Sequence, residues 1–321
     1  MLITPSVRPI VLIANKDLQY DRLKDIADLI INEDASGATR EWVMENIGEA
    51  TAFFFRGHYN IDAEVLDKAK NLKYLVTIAV GHDNIDLEEC KKRNIKVGYA
   101  GPILTEGTAE MCMALLLSIA RRVPEAVQSA RNGGWNHWSL TYLNGKALEG
   151  STVGFYGLGR IGESTAEKVR GFHPQKIIYH NRKPKENKPQ YEYVSFDELL
   201  KQSDFLIITA SAGAETAGIF NKKAFGQMKN DSVIVNISRG KVIKTDDLLE
   251  ALKTGQIGAA ALDVTEPEPL PTSHELYKLD NCIITPHIGS GNVRTRKMQH
   301  QMGEDNVFEA LNGRPMPSPL V

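Results

Sequence analysis

A chain of 321 residues, 42% of them hydrophobic, is long enough for two domains with sizeable cores. Its 38 basic and 40 acidic residues leave a net charge of −2, which gives no field to draw nucleic acid or an anionic membrane. Three scattered cysteines, Cys90, Cys112 and Cys282, fit neither a disulfide framework nor a zinc site, so no metal is expected and the thiols read as residents of a reducing compartment.

Short apolar runs alternate with amphipathic stretches from the start of the chain. Residues 10–14, 52–55, 74–79 and 96–99 are rich in β-branched and aromatic side chains and predict strands. Between them, residues 21–31, 62–69 and 87–93 carry helical spacing. Residues 106–122 form the longest apolar helical stretch, and Asn132-Gly133-Gly134-Trp135 breaks the pattern after it. A second strand–helix series begins at residues 152–156 and continues with strands at 176–180, 205–209, 233–236, 259–262 and 282–285. A last helix, 293–311, is free to pack back on the first series. Strands alternating with helices imply an α/β chain with two doubly wound parallel sheets. The expected division is a discontinuous substrate domain, residues 1–105 with 290–321, and a dinucleotide-binding domain, residues 106–289. No run of 18 apolar residues and no targeting segment is present, so the cytoplasm is the expected location, with neither membrane nor nucleic acid as partner.

Gly157-Leu158-Gly159-Arg160-Ile161-Gly162 is a G-x-G-x-x-G between a predicted strand and a predicted helix, which is the context that gives this otherwise weak motif meaning. Its first glycine permits a tight turn, its second lets backbone approach a pyrophosphate, and its third lets helix pack on strand. The helix N-terminus then offers N–H groups and positive potential to phosphates. An acid is expected about 20 residues further on to hold the ribose hydroxyls of NAD. That place holds His180 and Asn181, followed by Arg182, Lys183 and Lys185. A guanidinium suits a 2′-phosphate, so NADP(H) is preferred, with NAD(H) possible. The bland alternative is a solvated basic loop.

Three charged residues fall just past successive strands of the second series: Arg239, Glu268 and His287. Each alone is ordinary; ligands, however, sit at strand carboxyl ends in open α/β sheets, and the three share that edge with the glycine motif.

With these motifs, and with Val80-Gly81-His82-Asp83-Asn84-Ile85-Asp86, the chain resembles the D-isomer-specific 2-hydroxyacid dehydrogenases over nearly its whole length, most closely their glyoxylate reductase/hydroxypyruvate reductase group. The resemblance implies a flavodoxin-like substrate domain and a Rossmann NAD(P)-binding domain. It implies reduction of glyoxylate or hydroxypyruvate to glycolate or D-glycerate by NADPH. His287 matches the acid/base, Glu268 its partner carboxylate and Arg239 the substrate-binding arginine. Val80 and Gly81 match the loop that holds the substrate carboxylate, and Ser290 and Trp138 match further substrate contacts, Trp138 from the other subunit of a homodimer. Ser211, Ile237, Asp263 and Gly289 match cofactor contacts beside Gly157, Gly159, Arg160, Ile161 and Gly162. The missing ribose acid and an unmatched Arg56-Gly57-His58 depart from the pattern, leaving the cofactor and the preferred keto acid open. Two other readings stand beside the enzyme: a dinucleotide-sensing regulator of the same fold, and another glycine-rich α/β protein such as a methyltransferase, which leaves Arg239, Glu268 and His287 unexplained.

Overall fold

The computed structural model describes residues 8–16, 20–34, 36–56, 59–186 and 188–321. The chain divides into two units, residues 1–104 with 292–321 and residues 105–291.

In the first unit, β1 (Ile10–Ile13), α1 (Asp21–Lys24), β2 (Asp28–Ile31), α2 (Arg40–Asn46) and β3 (Ala52–Phe55) come first. They are followed by α3 (Ala63–Lys68), β4 (Tyr74–Thr77), α4 (Leu87–Lys92) and β5 (Lys96–Tyr99). The strands pair in parallel in the order β2-β1-β3-β4-β5, the flavodoxin-like order. Side chains alternate across a strand, so Phe53 and Phe55 enter one apolar cluster while Ala52 and Phe54 enter the other. Both faces are covered, which is why the strands read as continuous apolar runs rather than alternating ones. Each fully buried Phe or Leu contributes about 1.5–3 kcal/mol of transfer free energy. Asp62 and Asp86 cap α3 and α4 by accepting from the N–H groups of Val65 and Glu89.

The second unit opens with α5 (Thr105–Ala120) and α6 (Val123–Arg131), then β6 (Thr152–Tyr156), α7 (Arg160–Arg170), β7 (Lys176–His180) and the short β8 (Glu192–Tyr193). After these come α8 (Phe196–Gln202), β9 (Phe205–Ile208), α9 (Lys222–Phe225), β10 (Val233–Asn236), α10 (Thr245–Lys253), β11 (Ala259–Leu262) and β12 (Cys282–Ile284). All pairings are parallel, in the order β12-β11-β10-β9-β6-β7-β8. The strand order reverses between β6 and β9, the switch point at which such sheets bind ligands. Helix α11 (Val293–Leu311) belongs to the first unit and packs along β4 and β5. The chain end then closes the β5 edge: Val97 N–H donates to Val321 O, and Leu320 N–H to Val97 O.

Two expectations are corrected. Residues 21–31 are not one helix; only Asp21–Lys24 is helical, and Asp28–Ile31 is the edge strand β2. Leu29, Ile30 and Ile31 satisfy helical spacing as well as a strand, and pairing with β1 decides for the strand. The long helix expected over 106–122 stops at Ala120. Arg122 takes a left-handed φ of 52°, and α6 then starts with Pro124 in its first turn. Gly101–Ala120 is long and apolar enough to cross a membrane by length and composition. Within the unit, Cys112, Leu115, Leu116 and Ile119 of α5 are buried in the cluster that includes Val153 and Phe155 of β6, so α5 serves as a core helix.

Candidate active site

The glycine motif is built as its spacing requires. Gly157 has φ of 95°, and a Cβ there would lie 2.4 Å from the backbone of Ala210, just past the end of β9. A Cβ at Gly162 would lie 2.6 Å from Gly157 O, so α7 packs against the turn only with glycine at that point. Around Gly159, the N-cap of α7, a Cβ would meet nothing within 4 Å. The opening of α7 thus faces open space at the switch point, and its N–H groups, in the segment from Gly159 through Arg160 and Ile161 to Gly162, fit a dinucleotide pyrophosphate. Two side chains from neighbouring strand ends hold the turn. Thr209 Oγ1 donates to Gly157 O at 2.5 Å, and Leu158 N–H donates to Asn181 Oδ1 at 2.6 Å. Asn181 therefore braces the phosphate loop from the end of β7.

The basic loop after β7 divides. Arg182 is 89% exposed, and its guanidinium pairs with Glu215, in the loop after β9, at 3.2 Å. Lys183 is exposed. Lys185 pairs with Glu163 in the first turn of α7, and Lys188 joins the same carboxylate at 3.0 Å. Burial, with Lys188 nearby, lowers the Lys185 pKa. Arg182 is thus presented to solvent while Lys185 is drawn onto α7, and Glu215 is a neighbour that no local pattern announces.

Arg239 follows β10. Its loop is fixed by fully buried Asn236, whose Nδ2 donates to Arg239 O at 2.9 Å and whose Oδ1 accepts from Ser238 N–H at 3.0 Å. Gly240, next in sequence, stands so close to the following loop that a Cβ would lie 1.9 Å from Thr265 O. That approach locks the Arg239 loop to the loop carrying Glu268. There, Thr265 Oγ1 donates to Pro267 O at 2.8 Å, Thr265 N–H donates to the Glu268 carboxylate at 3.3 Å, and Thr245 Oγ1 donates to Glu266 O at 2.6 Å.

His287 follows β12 in a left-handed conformation, φ 52°, rare for a residue with a side chain. Asp263, at the end of β11 and 1% exposed, holds it there. The Asp263 carboxylate accepts from Thr285 Oγ1 at 2.6 Å, Ile288 N–H at 2.9 Å and Gly289 N–H at 2.7 Å, while Asp263 O accepts from His287 N–H at 3.0 Å. In that pose His287 Nδ1 lies 2.5 Å from Glu268 Oε1. The pair is about one third exposed, with side chains 38% and 33% accessible. Ile237 and Gly289 are buried, while Ser290 is half-buried and Ser211 exposed.

In the first unit, Val80 and Gly81 follow β4 and are half-buried. Trp138 is 78% exposed. Of Arg56-Gly57-His58, only Arg56 is among the described residues. Asn236, Thr285, Thr265 and Thr209 are supports that sequence reasoning missed. Each lies within about three residues of a strand end, which is the signal that marks them.

Residues 113–289 match the model of the D-isomer specific 2-hydroxyacid dehydrogenase, NAD binding domain. A human protein named glyoxylate reductase/hydroxypyruvate reductase is 46% identical over 265 residues, 81% of this chain and 81% of that protein. Among solved structures, a protein from Thermus thermophilus superposes with TM-score 0.90 at 36% identity, over 97% of this chain and 100% of that one. An NADPH-dependent glyoxylate/hydroxypyruvate reductase from Sinorhizobium meliloti, solved with NADP and malonate, superposes with TM-score 0.86 at 28% identity, over 98% of this chain and 97% of that one.

Proposed function

The chain belongs to the D-isomer specific 2-hydroxyacid dehydrogenases, and on that footing we propose that it reduces short 2-keto acids, glyoxylate and hydroxypyruvate, to glycolate and D-glycerate with NADPH. It is an oxidoreductase that uses a nicotinamide dinucleotide. The observation that carries the reading is the His287–Glu268 pair and Arg239 on consecutive strand ends of one sheet, beside a glycine turn with an open helix N-terminus.

When bound, the nicotinamide supplies the hydride that reaches the keto carbon. Arg239 offers a planar fork of N–H donors, which matches a carboxylate and an adjacent carbonyl oxygen together. As negative charge grows on that oxygen, the guanidinium stabilises it. His287 donates Nδ1–H to Glu268, so Nε2 is the nitrogen that hands a proton to the new alkoxide. Glu268 fixes the ring plane through that bond. Asp263 keeps the histidine in its left-handed pose. Val80 and Gly81 hold the substrate carboxylate by backbone N–H groups. Ser290 adds a hydroxyl contact, and Ser211, Ile237, Asp263 and Gly289 line the cofactor.

NADPH is favoured over NADH because the exposed Arg182 guanidinium at the β7 end can exchange its surface partner Glu215 for a 2′-phosphate. Lys183 and Lys185 add positive potential. A homodimer is favoured by exposed apolar surface on α6 and the arm after it: Val123, Val127, Trp135, Trp138, Leu140 and Tyr142. Trp138 would then serve the partner. The three free thiols fit the cytoplasm.

The test is NADPH oxidation at 340 nm with glyoxylate and hydroxypyruvate, repeated with NADH. Turnover with both acids and a higher kcat/KM for NADPH is expected. Equal kcat/KM for the two cofactors overturns the NADPH assignment, and NADPH binding without turnover of either acid overturns the substrate assignment.

A further inference from the structure

The loop after β4 has its backbone tied from an unexpected direction. Ile78 N–H donates to Phe55 O at 3.1 Å, an ordinary bond to the neighbouring strand. Its carbonyl lies beyond the β4 pairing, and Gln299 Nε2 on α11, 221 residues further along the chain, donates to it at 2.5 Å. Both residues are buried, Gln299 at 4% exposure and Ile78 at 6%. The amide cannot be turned over: Gln299 Oε1 accepts from Arg296 Nη1 at 3.1 Å, one turn earlier on the helix, and a guanidinium only donates. The helix also lies hard against the strand ends, which brings Gln299 within reach of the Ile78 carbonyl. One turn beyond Gln299, a Cβ at Gly303 would lie 2.5 Å from the Phe54 ring and 2.6 Å from Ile78 Cγ2. Ala79 N–H then donates to Thr77 Oγ1 at 3.2 Å, and the chain enters Val80-Gly81.

We propose that Gln299 is a positioning residue for substrate binding: by fixing the Ile78 carbonyl it sets the tilt of the peptide planes that lead into Val80 and Gly81, and so aims their N–H groups at the substrate carboxylate. This rests on the reading of Val80-Gly81 as the carboxylate-holding loop. The side chains of these two residues are aliphatic or absent, so Val80 and Gly81 can bind an anion only through backbone, and backbone donors are useful only at a fixed angle. Contact with a carboxylate that does not itself react serves ground and transition states alike, so it should act on KM and leave kcat alone.

The experiment is steady-state kinetics of Gln299→Met, which keeps length and volume and deletes the donor, with glyoxylate and NADPH each varied. Losing one buried hydrogen bond predicts a glyoxylate KM raised about fivefold or more, kcat within about twofold, and an unchanged NADPH KM. Gln299→Leu removes the donor by a second route and should raise KM in the same way if Met perturbs folding. Gly81→Pro, which removes one of the loop's own N–H groups, is the reference. If Gly81→Pro raises KM and neither Gln299 variant does, the positioning role is wrong and the carboxylate loop stands. If Gly81→Pro also leaves KM unchanged, the loop reading itself fails and the proposal falls with it. A lower Tm with unchanged KM in the Gln299 variants marks a purely structural glutamine and overturns the proposal too.

Discussion

The five-stranded and seven-stranded sheets are both all-parallel, both sandwiched between two apolar clusters, and both leave loops at the carboxyl ends of their strands. They differ in what those loops present. In the second unit the loops after β10, β11 and β12 carry Arg239, Glu268 and His287, each held by hydrogen bonds from polar neighbours such as Asn236 and Asp263. In the first unit the loop after β4 opens with Ile78, Ala79, Val80 and Gly81, a stretch with no polar side chain whose main chain is braced by Gln299. The same architecture thus presents charged side chains at the strand ends of one unit and main chain at those of the other, which is the division of labour proposed above. Function here is a property of strand-end residues and their supports, and the layer arrangement alone says nothing about which unit does the chemistry.

That contrast can be broken in order of expected effect. Arg239→Ala removes the fork that stabilises developing charge and should lower kcat/KM for glyoxylate about 100- to 1,000-fold, with NADPH affinity by fluorescence titration unchanged. A loss confined to cofactor binding would place Arg239 outside the substrate site. If the exposed Arg182 guanidinium takes the 2′-phosphate, Arg182→Ala should raise the NADPH KM about tenfold and leave the NADH KM as it was. Equal effects on both cofactors would show that the arginine serves the loop rather than the phosphate.

The smallest effect tests the first unit for stability rather than chemistry. Glu304 on α11 is 5% exposed, and its Oε1 has no hydrogen-bond partner among the described residues. Burial pushes its carboxyl above the usual range, partly offset by His300 and Arg22, while Asp305 and Asp21 push it further up. The folded state therefore holds this proton more tightly than the unfolded chain. Its contribution is fully present below the unfolded pKa and is lost as pH rises through the raised folded value. Glu304→Gln should flatten the fall of Tm as pH rises above the usual carboxylate range, with Tm about 2 °C higher on the alkaline side and kcat unchanged. An unaltered Tm profile would mean that another group carries this part of the pH dependence.

Much of this was legible in the sequence because both sheets are buried on two faces. Runs such as Ala52–Phe55 and Val233–Asn236 are buried throughout, and their bounds read directly. The edge strand β2 escaped, since Asp28–Ile31 is only partly buried and its spacing suits a helix equally well. Helix α6 escaped because none of its residues is buried, so no core-facing stripe marks it. In the site, glycines and strand-end charges stood out, whereas their supports did not. Asp263 braces His287 from the neighbouring strand end, and Gln299 reaches Ile78 across 221 residues, separations that no local pattern reports. His287 itself gives no hint of its positive φ, which only the hydrogen bonds around it explain.

The most direct test of the central claim is the kcat of His287→Ala with glyoxylate at saturating NADPH, measured beside the Kd for NADPH. If His287 is the proton donor at the second unit's strand ends, kcat falls about 100-fold or more while Kd stays within about twofold. A kcat within a few-fold of the parent enzyme would contradict the account and require a different acid for the reaction.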